Sequence, residues 1–239
     1  MPKARYEGIY QELLRRIEVG DYAYQSLLPP ESELTEQFSC SRNTLRRALS
    51  MLADNLYVQP IHGKGVRVIW REKTHNAIGV LEGIESFGEY FARNGMTAST
   101  EVKVIEHILC GDALANRSGF NVGDALTRVV RVRSLDGKAR QIDHGYFLES
   151  VAPGIDEDVA RDSIYRHLEQ DVGMKIVTSR RTVTVQLAGE EDCAYLDLGP
   201  YNCVAVMEGQ SFDSNGIMFE YTCTRIHPEI FCYQMTSRR

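Results

Sequence analysis

The spacing of apolar residues changes along this 239-residue chain, and this change limits the possible folds more than any other feature. Up to residue 55 the apolar residues recur every three or four positions, which is typical of helices with one buried face. Three short helices are predicted there, over 6–19, 30–38 and 42–52. Ser41 can cap the third helix, because its hydroxyl can accept an N–H of the first turn. Beyond residue 57 alternating apolar patterns predominate, which indicates strands.

The third predicted helix has a basic amino-terminal end. Arginine binds guanine edges and phosphates, asparagine binds adenine, and threonine binds phosphate oxygens. Two short helices joined by a tight turn at 39–40, with such residues on the second, predict a helix-turn-helix that binds DNA. The alternative is a small helical domain with a solvated basic face. The residues that crowd the first turns and avoid the leucine stripe are Arg42, Asn43, Thr44, Arg46 and Arg47.

A β-hairpin is predicted directly after the third helix. Residues 58–61 and 66–69 are its strands, and its turn reads His-Gly-Lys-Gly over 62–65. Glycines at such a tip let the backbone approach a sugar–phosphate chain closely. Residues 1–70 are therefore predicted to form a winged helix-turn-helix domain, which a polar linker over 71–77 follows.

The charge of the chain is unevenly distributed. The formal net charge is −6, which by itself argues against a nucleic-acid partner. Residues 1–73 nevertheless carry 11 Lys and Arg against nine acidic residues, and residues 37–71 carry six against Asp54 alone. A local basic patch favours DNA even in an acidic chain, because phosphates respond to the charge that faces them. The acidity lies in residues 74–239, with 16 basic and 24 acidic side chains.

The second part of the chain, residues 78–239, combines strands with short helices. Its strands are mostly joined by hairpin signals, such as Asp136-Gly137. This pattern is typical of an antiparallel sheet, and with the helical first domain it predicts the α+β class. Strands are predicted over 100–108, 126–134, 139–147, 176–187, 203–212, 218–226 and 230–235, and helices over 84–94, 112–119, 158–172 and 190–196.

The sequence contains no catalytic or metal-binding motif. It lacks a glycine-rich phosphate loop, a nucleophile elbow and a histidine–carboxylate metal motif, so we expect no enzyme, no metal and no cofactor. It also lacks a bilayer-spanning apolar run and a signal peptide, so we expect a cytoplasmic protein with no membrane partner. The cysteines at 40, 110, 193, 203, 223 and 232 show no paired spacing and are predicted to be free, buried thiols.

Several residues of the second domain suit the binding of an anion. Arg131 and Arg133 are two positions apart on a predicted strand, so both side chains point to the same face. Paired guanidinium groups bind phosphates and carboxylates. Ser86 lies near the start of a predicted helix, where free amides favour an anion, and Ser163 and Tyr165 add two hydroxyls. The alternative is that the arginine pair belongs to a solvated face.

Three segments of the first domain occur in a characteristic order and spacing: Leu-Pro-Pro-Glu at 28–31, Ser-Arg-Asn-Thr-Leu-Arg-Arg-Ala-Leu at 41–49 and His-Gly-Lys-Gly at 62–65. They resemble the winged-helix domain of the GntR family of transcription regulators. Where that family usually has a basic residue after the glutamate, this chain has Ser32. The resemblance implies DNA contacts from Arg42, Asn43, Thr44 and Arg46 and, in the wing, from His62, Gly63 and Lys64, with Arg47 facing phosphate or solvent.

Four segments of the second domain carry a further resemblance: Glu-Ser-Phe-Gly-Glu at 85–89, Val-Arg-Val-Arg at 130–133, Asp-Ser-Ile-Tyr at 162–165 and Phe-Glu-Tyr-Thr at 219–222. They resemble the effector-sensing domain of the HutC subfamily of GntR regulators, the UTRA domain, whose fold is like that of chorismate lyase. The resemblance implies that sugar hydroxyls contact Asp143 and Glu220, since carboxylates accept hydrogen bonds. It implies phosphate contacts from Ser86, the Phe87 amide, Arg131, Arg133, Ser163 and Tyr165.

The resemblance implies a bacterial repressor of a sugar-utilisation operon. It is strongest for members of the subfamily that respond to trehalose, on residues that include Asp-Gly-Lys at 136–138, Tyr-Phe at 146–147, Tyr-Thr at 221–222 and Arg225. We expect a homodimer, joined through the second domain, on a near-palindromic operator in double-stranded DNA. A sugar phosphate, with trehalose 6-phosphate as first choice, is expected to release it. Two alternatives stay open. One is a HutC-type regulator of an amino-sugar phosphate, a phosphonate or another small metabolite, and the other is a chorismate-lyase-like domain that has kept catalysis.

Overall fold

A computed structural model describes residues 5–71 and 97–232, which fall into two compact units. The first unit consists of three helices and a two-stranded antiparallel hairpin, so the predicted winged helix-turn-helix is confirmed. Its helices are α1, Arg5–Glu18, α2, Glu31–Gln37, and α3, Arg42–Asp54. Its strands are β1, Val58–Ile61, and β2, Gly65–Val68.

Leucines from all three helices fill the core of the first unit. Leu13 of α1, Leu34 of α2 and Leu45 of α3 are each at most 1% exposed. Helix α3 begins where its cap predicts, since Ser41 Oγ accepts the Thr44 N–H at 3.2 Å. Because the leucine stripe of α3 faces this core, the polar residues of α3 point to the solvent.

The second unit is built around one antiparallel sheet. Its strands are β3, Ala98–Leu109, β4, Ala125–Leu135, β5, Lys138–Leu148, β6, Ile176–Leu187, β7, Cys203–Asp213, and β8, Met218–Ile226. They lie in the order β3-β4-β5-β8-β7-β6, and each pairs with its neighbours in antiparallel orientation. The predicted α+β class is therefore confirmed, and β4, β5 and β8 lie at the centre of the sheet.

Four helices of the described residues accompany the sheet, and two of them cover one of its faces. They are α4, Asp112–Ser118, α5, Glu157–Arg161, α6, Ile164–Gln170, and α7, Glu190–Tyr195. Ala160 of α5 and Leu168 of α6 belong to one fully buried cluster with Val129 and Phe147 of the sheet. Side chains that point from the central strands to this face are therefore shielded from water.

Two predicted elements differ from the structure. The helix predicted over 158–172 is two helices, because Ser163 adopts extended backbone and caps α6 by accepting the Arg166 N–H at 3.2 Å. The strand predicted over 230–235 does not begin at its first residue, which ends the 3-10 turn Pro228–Ile230. The N–H of Ile230 donates to the His227 carbonyl at 3.2 Å within this turn, so it is not used in a strand.

Other predictions concern residues that the structure describes only in part or shows in a different environment. The helix predicted over 84–94, and the linker beyond Arg71, lie outside the described residues. The six cysteines are free thiols, but of the six Cys110 alone is buried, as predicted; Cys193 is exposed and the other four are half-buried, so their predicted burial was wrong. Cys193 lies on the outer side of the short α7, whose buried residue is Asp192.

Within 5–71 and 97–232, no helix is both long enough and apolar enough to cross a bilayer.

Candidate functional site

The amino-terminal end of α3 presents polar side chains to the solvent. Arg42 and Asn43 are exposed, and Thr44 is half-buried. The Thr44 hydroxyl lies 2.8 Å from Ser41 Oγ, so the residue that caps the helix also holds this side chain. All three side chains lie within the first turn of the helix, which is the part of a recognition helix that reaches base edges.

Arg46 and Arg47 are both held by neighbouring helices. Nε of Arg46 lies 3.0 Å from the Glu31 carboxylate of α2, and the two side chains are 65% and 36% exposed. The guanidinium carbon of Arg47 lies 3.8 Å from the ring centroid of Tyr6 in α1, which is a cation–π contact. Arg46 therefore remains accessible in an exposed ion pair, whereas the contact of Arg47 with Tyr6 links α3 to α1.

The turn between β1 and β2 forms the tip of the hairpin. His62, Gly63 and Lys64 are exposed there. Gly63 has a φ of +69° and Gly65 a φ of +114°, values that residues with a side chain rarely adopt. The tight turn therefore depends on glycine, and it leaves the backbone of the tip open to a close approach.

Two arginines and one aspartate form a buried charged cluster on the sheet face that α5 and α6 cover. Arg131 and Arg133 of β4 are 6% and 7% exposed, and Asp143 of β5 is 6% exposed. Arg133 Nε donates a hydrogen bond to Asp143 Oδ2, and Arg131 Nη2 lies 3.7 Å from the same oxygen. The two arginines thus share one face, as their spacing predicts, and the alternative of a solvated face is wrong because both are buried.

Arg131 has an unused hydrogen-bond donor. Its Nη1 donates to the Ala160 carbonyl of α5 at 3.3 Å, while its Nε has no partner among the described residues. Burial and the neighbouring Arg133 lower the pKa of Arg131 to about 10, against the opposing effects of Asp143 and Glu220. An unsatisfied buried donor is unfavourable. Among the described residues, Arg131 therefore has one buried donor that no protein group uses.

Asp143 receives hydrogen bonds on both carboxylate oxygens. Gln141 Nε2 donates to its Oδ1 at 2.7 Å and Thr224 Oγ1 at 2.9 Å, while Arg133 donates to Oδ2. Burial raises the pKa of Asp143, but Arg133 and Arg131 outweigh burial and bring the pKa down to about 2. Our sequence reasoning missed Gln141 and Thr224. Gln141 lies two positions from Asp143 on one strand, a spacing that signals a shared face, whereas only β5–β8 pairing brings Thr224 there.

A second buried polar group surrounds Glu220 of β8. The Tyr165 hydroxyl of α6 donates to Glu220 Oε2 and lies 3.0 Å from Ser211 Oγ of β7. Burial raises the pKa of Glu220. Burial, followed by the charge of Glu220, also raises the pKa of Tyr165. Ser211 lies opposite Glu220 in the β7–β8 register, and our sequence reasoning missed it because it carries no signal of its own.

The structure brings together five of the eight predicted effector contacts. The charges of Glu220 and Tyr165 raise the pKa of Arg131, so the two buried groups are close enough to interact. Ser163 is half-buried and uses its oxygen to cap α6, which leaves its hydroxyl hydrogen free to donate. Ser86 and Phe87 lie outside the described residues. The assembled contacts are Arg131, Arg133, Asp143, Tyr165 and Glu220.

Comparisons with protein families define the class of this protein. Residues 5–68 match the gntR family of bacterial regulatory proteins, and residues 93–231 match the UTRA domain. The chain therefore belongs to the GntR family. It is a transcriptional repressor of the GntR/HutC type and not an enzyme, with a DNA-binding domain followed by a domain that binds a small-molecule effector.

Individual relatives agree with this assignment. The HTH-type transcriptional regulator TreR of Bacillus subtilis is 31% identical over 98% of this chain and 98% of its own. The structure of YydK, a possible transcriptional regulator of the same species, has a TM-score of 0.81 at 20% identity and covers 98% of this chain and 100% of that one. The effector-binding domain of the Bacillus subtilis trehalose repressor TreR has a TM-score of 0.54 at 24% identity, over 59% of this chain and 98% of that one. Both structures share the fold.

Proposed function

We propose that this chain represses a sugar-utilisation operon, that the sugar is trehalose, and that trehalose 6-phosphate releases the repressor from its operator. The repressor acts in the cytoplasm, as a homodimer. The observation that carries the proposal is the buried guanidinium of Arg131, whose Nε has no partner among the described residues. The similarity to TreR, described as a trehalose repressor, supports the choice of sugar.

The chemistry of the buried cluster suits a phosphate. Arg131 and Arg133 offer guanidinium forks that match phosphate oxygens in geometry and charge. Tyr165 and Ser163 would add hydroxyl donors, and we assign Ser86 and the Phe87 amide to the same phosphate. We assign the sugar hydroxyls to Glu220 and to Asp143. Because both oxygens of Asp143 already accept hydrogen bonds, its main task in this scheme is to orient the arginines.

The surface of the first unit suits an operator. The first turns of α3 carry Arg42, Asn43 and Arg46 at exposed positions, and we assign them, with Thr44, to bases and phosphates in the major groove. The wing adds His62, Gly63 and Lys64. We give Arg47 a minor share of binding, since its guanidinium packs on Tyr6.

A homodimer follows from the size of the DNA contact, because one recognition helix reads only a few base pairs. The free edge at β6 suits a second copy of the chain. Val185 and Leu187 of β6 are 70% and 76% exposed, and β6 pairs only with β7 among the described strands. An apolar, unpaired edge strand is a ready surface for pairing with an identical strand. We therefore place the dimer contact at β6.

Release by an effector requires that the effector bind two arrangements of the repressor with different affinity. Moving the operator-bound fraction from nearly complete to nearly absent takes about 5.5 kcal/mol of differential binding free energy. Charge-assisted hydrogen bonds contribute about 1.5–3 kcal/mol each. A phosphate held by two arginines, together with hydroxyl contacts, can supply that difference.

One observation favours a second candidate effector, an amino-sugar phosphate. Glu220 places a buried carboxylate beside the proposed phosphate site, and a carboxylate can pair with the ammonium group of an amino sugar. A phosphonate or another small metabolite is the remaining alternative within the HutC type. An amino-sugar phosphate differs from trehalose 6-phosphate in the ammonium group that it offers to Glu220.

A ligand screen tests the proposal directly. The melting temperature of the full chain is measured with trehalose 6-phosphate, glucose 6-phosphate, glucosamine 6-phosphate, 2-aminoethylphosphonate and unphosphorylated trehalose. Each ligand is then added to the complex with an operator selected from random DNA. We expect trehalose 6-phosphate to raise the melting temperature and release the DNA, and trehalose to do neither. A response to another phosphorylated ligand alone would overturn the choice of trehalose 6-phosphate, and a response to trehalose alone would overturn the phosphate site.

A further inference from the structure

The buried site contains as many carboxylates as guanidinium groups. Among the described residues, Arg131 and Arg133 face Asp143 and Glu220, and all four are at most 7% exposed. When both acids are ionised, the four charges cancel. A phosphate monoester brings about two further negative charges near neutral pH, and burying uncompensated charge is strongly unfavourable.

The two carboxylates differ in how firmly their charge is held. Asp143 contacts Arg133 directly and receives two further hydrogen bonds, from Gln141 and Thr224. Glu220 instead accepts a hydrogen bond from the uncharged hydroxyl of Tyr165. An acid that is stabilised by a guanidinium stays ionised, whereas an acid that is buried among neutral groups gives up its charge more readily. Glu220 is therefore the group that can relieve an excess of negative charge.

We propose that Glu220 takes up a proton from the solvent when an anionic effector binds beside Arg131, so that effector affinity rises as the pH falls. This inference rests on the proposed binding of a phosphorylated effector at this site. The proton neutralises one carboxylate and leaves the two arginines with a net positive charge for the phosphate. The protonated acid also gains an O–H, which can donate to an effector hydroxyl.

The surroundings of Glu220 act in the required direction. Burial and Asp143 of β5 raise its pKa, whereas Tyr165 of α6, Ser211 of β7 and Arg131 of β4 lower it. A phosphate beside Arg131 screens a positive charge that favours the ionised form and adds negative charge. Both effects raise the pKa of Glu220 further in the complex. Two further arginines lie on this side: Arg133 of β4, which is paired with Asp143, and Arg181 of β6, which acts on Tyr165.

Calorimetry of the full chain tests the inference. Trehalose 6-phosphate is titrated into the protein at the same pH in two buffers of different ionisation enthalpy, which yields the number of protons bound with the ligand. The Glu220→Gln variant keeps the shape of the side chain and cannot take up the proton. We expect the variant to bind fewer protons than the wild type. Between pH 6 and 8 the affinity of the wild type should change by up to about tenfold per pH unit through Glu220, and the variant should lack that change. Because the ligand is the same in both titrations, its ionisation in free solution cancels in the difference.

Two controls keep the result specific. Glu208→Gln removes a carboxylate of β7 that accepts a hydrogen bond from Tyr221, as Glu220 does from Tyr165, and we expect it to bind as many protons as the wild type. Inorganic sulfate, which does not titrate near neutral pH, serves as a second anion. Equal proton uptake by the wild type and Glu220→Gln with both anions would overturn the inference. Failure of trehalose 6-phosphate to bind, with sulfate-linked uptake still lost in Glu220→Gln, would overturn the choice of effector and support the inference.

Discussion

Arg133 donates a hydrogen bond to Asp143 along the diagonal between two strands, although Arg131 is the residue that lies opposite Asp143 in the register. The residue opposite Arg133 is Gln141, and it too donates to Asp143. Arg131, the nearest neighbour by register, is left 3.7 Å from the carboxylate with its Nε unpaired. The diagonal contact thus anchors Arg133 on Asp143, whereas Arg131 keeps an unpaired Nε for the effector that we propose.

Removing Arg131 should weaken effector binding and leave the fold intact. Arg131→Met preserves the Arg133–Asp143 ion pair, so the buried carboxylate keeps its partner. We expect affinity for the phosphorylated effector to fall about 10- to 100-fold, the loss of one charge-assisted contact, with operator affinity unchanged. Binding is measured by calorimetry and operator release by fluorescence anisotropy. Arg128→Met, on the same strand and paired with Glu106, is the control, and equal losses in both variants would refute the assignment.

Asp143 should make the stability of the chain depend on acid pH. Its pKa is lowered from 3.8 to about 2, so its ionised form contributes about 2 kcal/mol to the free energy of unfolding above pH 4. That contribution is lost as the pH falls from about 4 to about 2. Asp143→Asn should therefore lower the free energy of unfolding at pH 7 and approach the wild type near pH 2.5. Urea denaturation at several pH values checks this.

The matched control for Asp143 is the exposed Asp158, whose ion pair with Arg161 lies at the surface. Asp158→Asn should change the free energy of unfolding by less than about 0.5 kcal/mol at any pH. A difference between Asp143→Asn and the wild type that is constant over the pH range would contradict the role assigned to the charge of Asp143.

Arg46 should contribute to operator binding with little effect on stability. Its ion pair with Glu31 is exposed, so Arg46→Ala should lower the free energy of unfolding by less than about 1 kcal/mol. If Arg46 contacts DNA, the variant should bind the operator more weakly and bind the effector normally. A lost phosphate contact should reduce the slope of log affinity against log salt by about 1. Arg15→Ala, which removes another exposed ion pair, with Glu12 of α1, should bind the operator as the wild type does.

The assignment of the dimer contact to β6 predicts a change of oligomeric state. Val185→Lys together with Leu187→Lys places two charges on the exposed apolar end of this strand, and like charges that meet across a two-fold axis repel each other. We expect the double variant to sediment as a monomer and to bind the operator weakly. Leu109→Lys, at the opposite edge of the sheet, should remain a dimer. If only the Leu109 variant is monomeric, the dimer contact must instead be at β3.

Much of the first domain was predictable because its signals are local. Leu45, Ala48, Leu49 and Leu52 recur at helical spacing, and all four are buried. Ser41 caps the helix as its hydroxyl predicts. These features depend on residues within one or two turns of one another, so the chain itself carries the information. Helix α6 shows the limit of such reasoning. The pattern over 158–172 predicted one continuous helix, although Ser163 interrupts it with extended backbone.

The amino-acid sequence alone determined most of the described helices and strands, the shared face of Arg131 and Arg133, and the basic end of α3, because each follows from a period of two or of 3.6 residues. Only the tertiary structure decided that Asp143 holds Arg133, that Thr224 and Ser211 join the site, and that Arg47 packs on Tyr6. Those contacts depend on which strands pair, in which register, and on which helix packs beside another. Such long-range choices are made by the burial of the whole core, and no short stretch of sequence contains them.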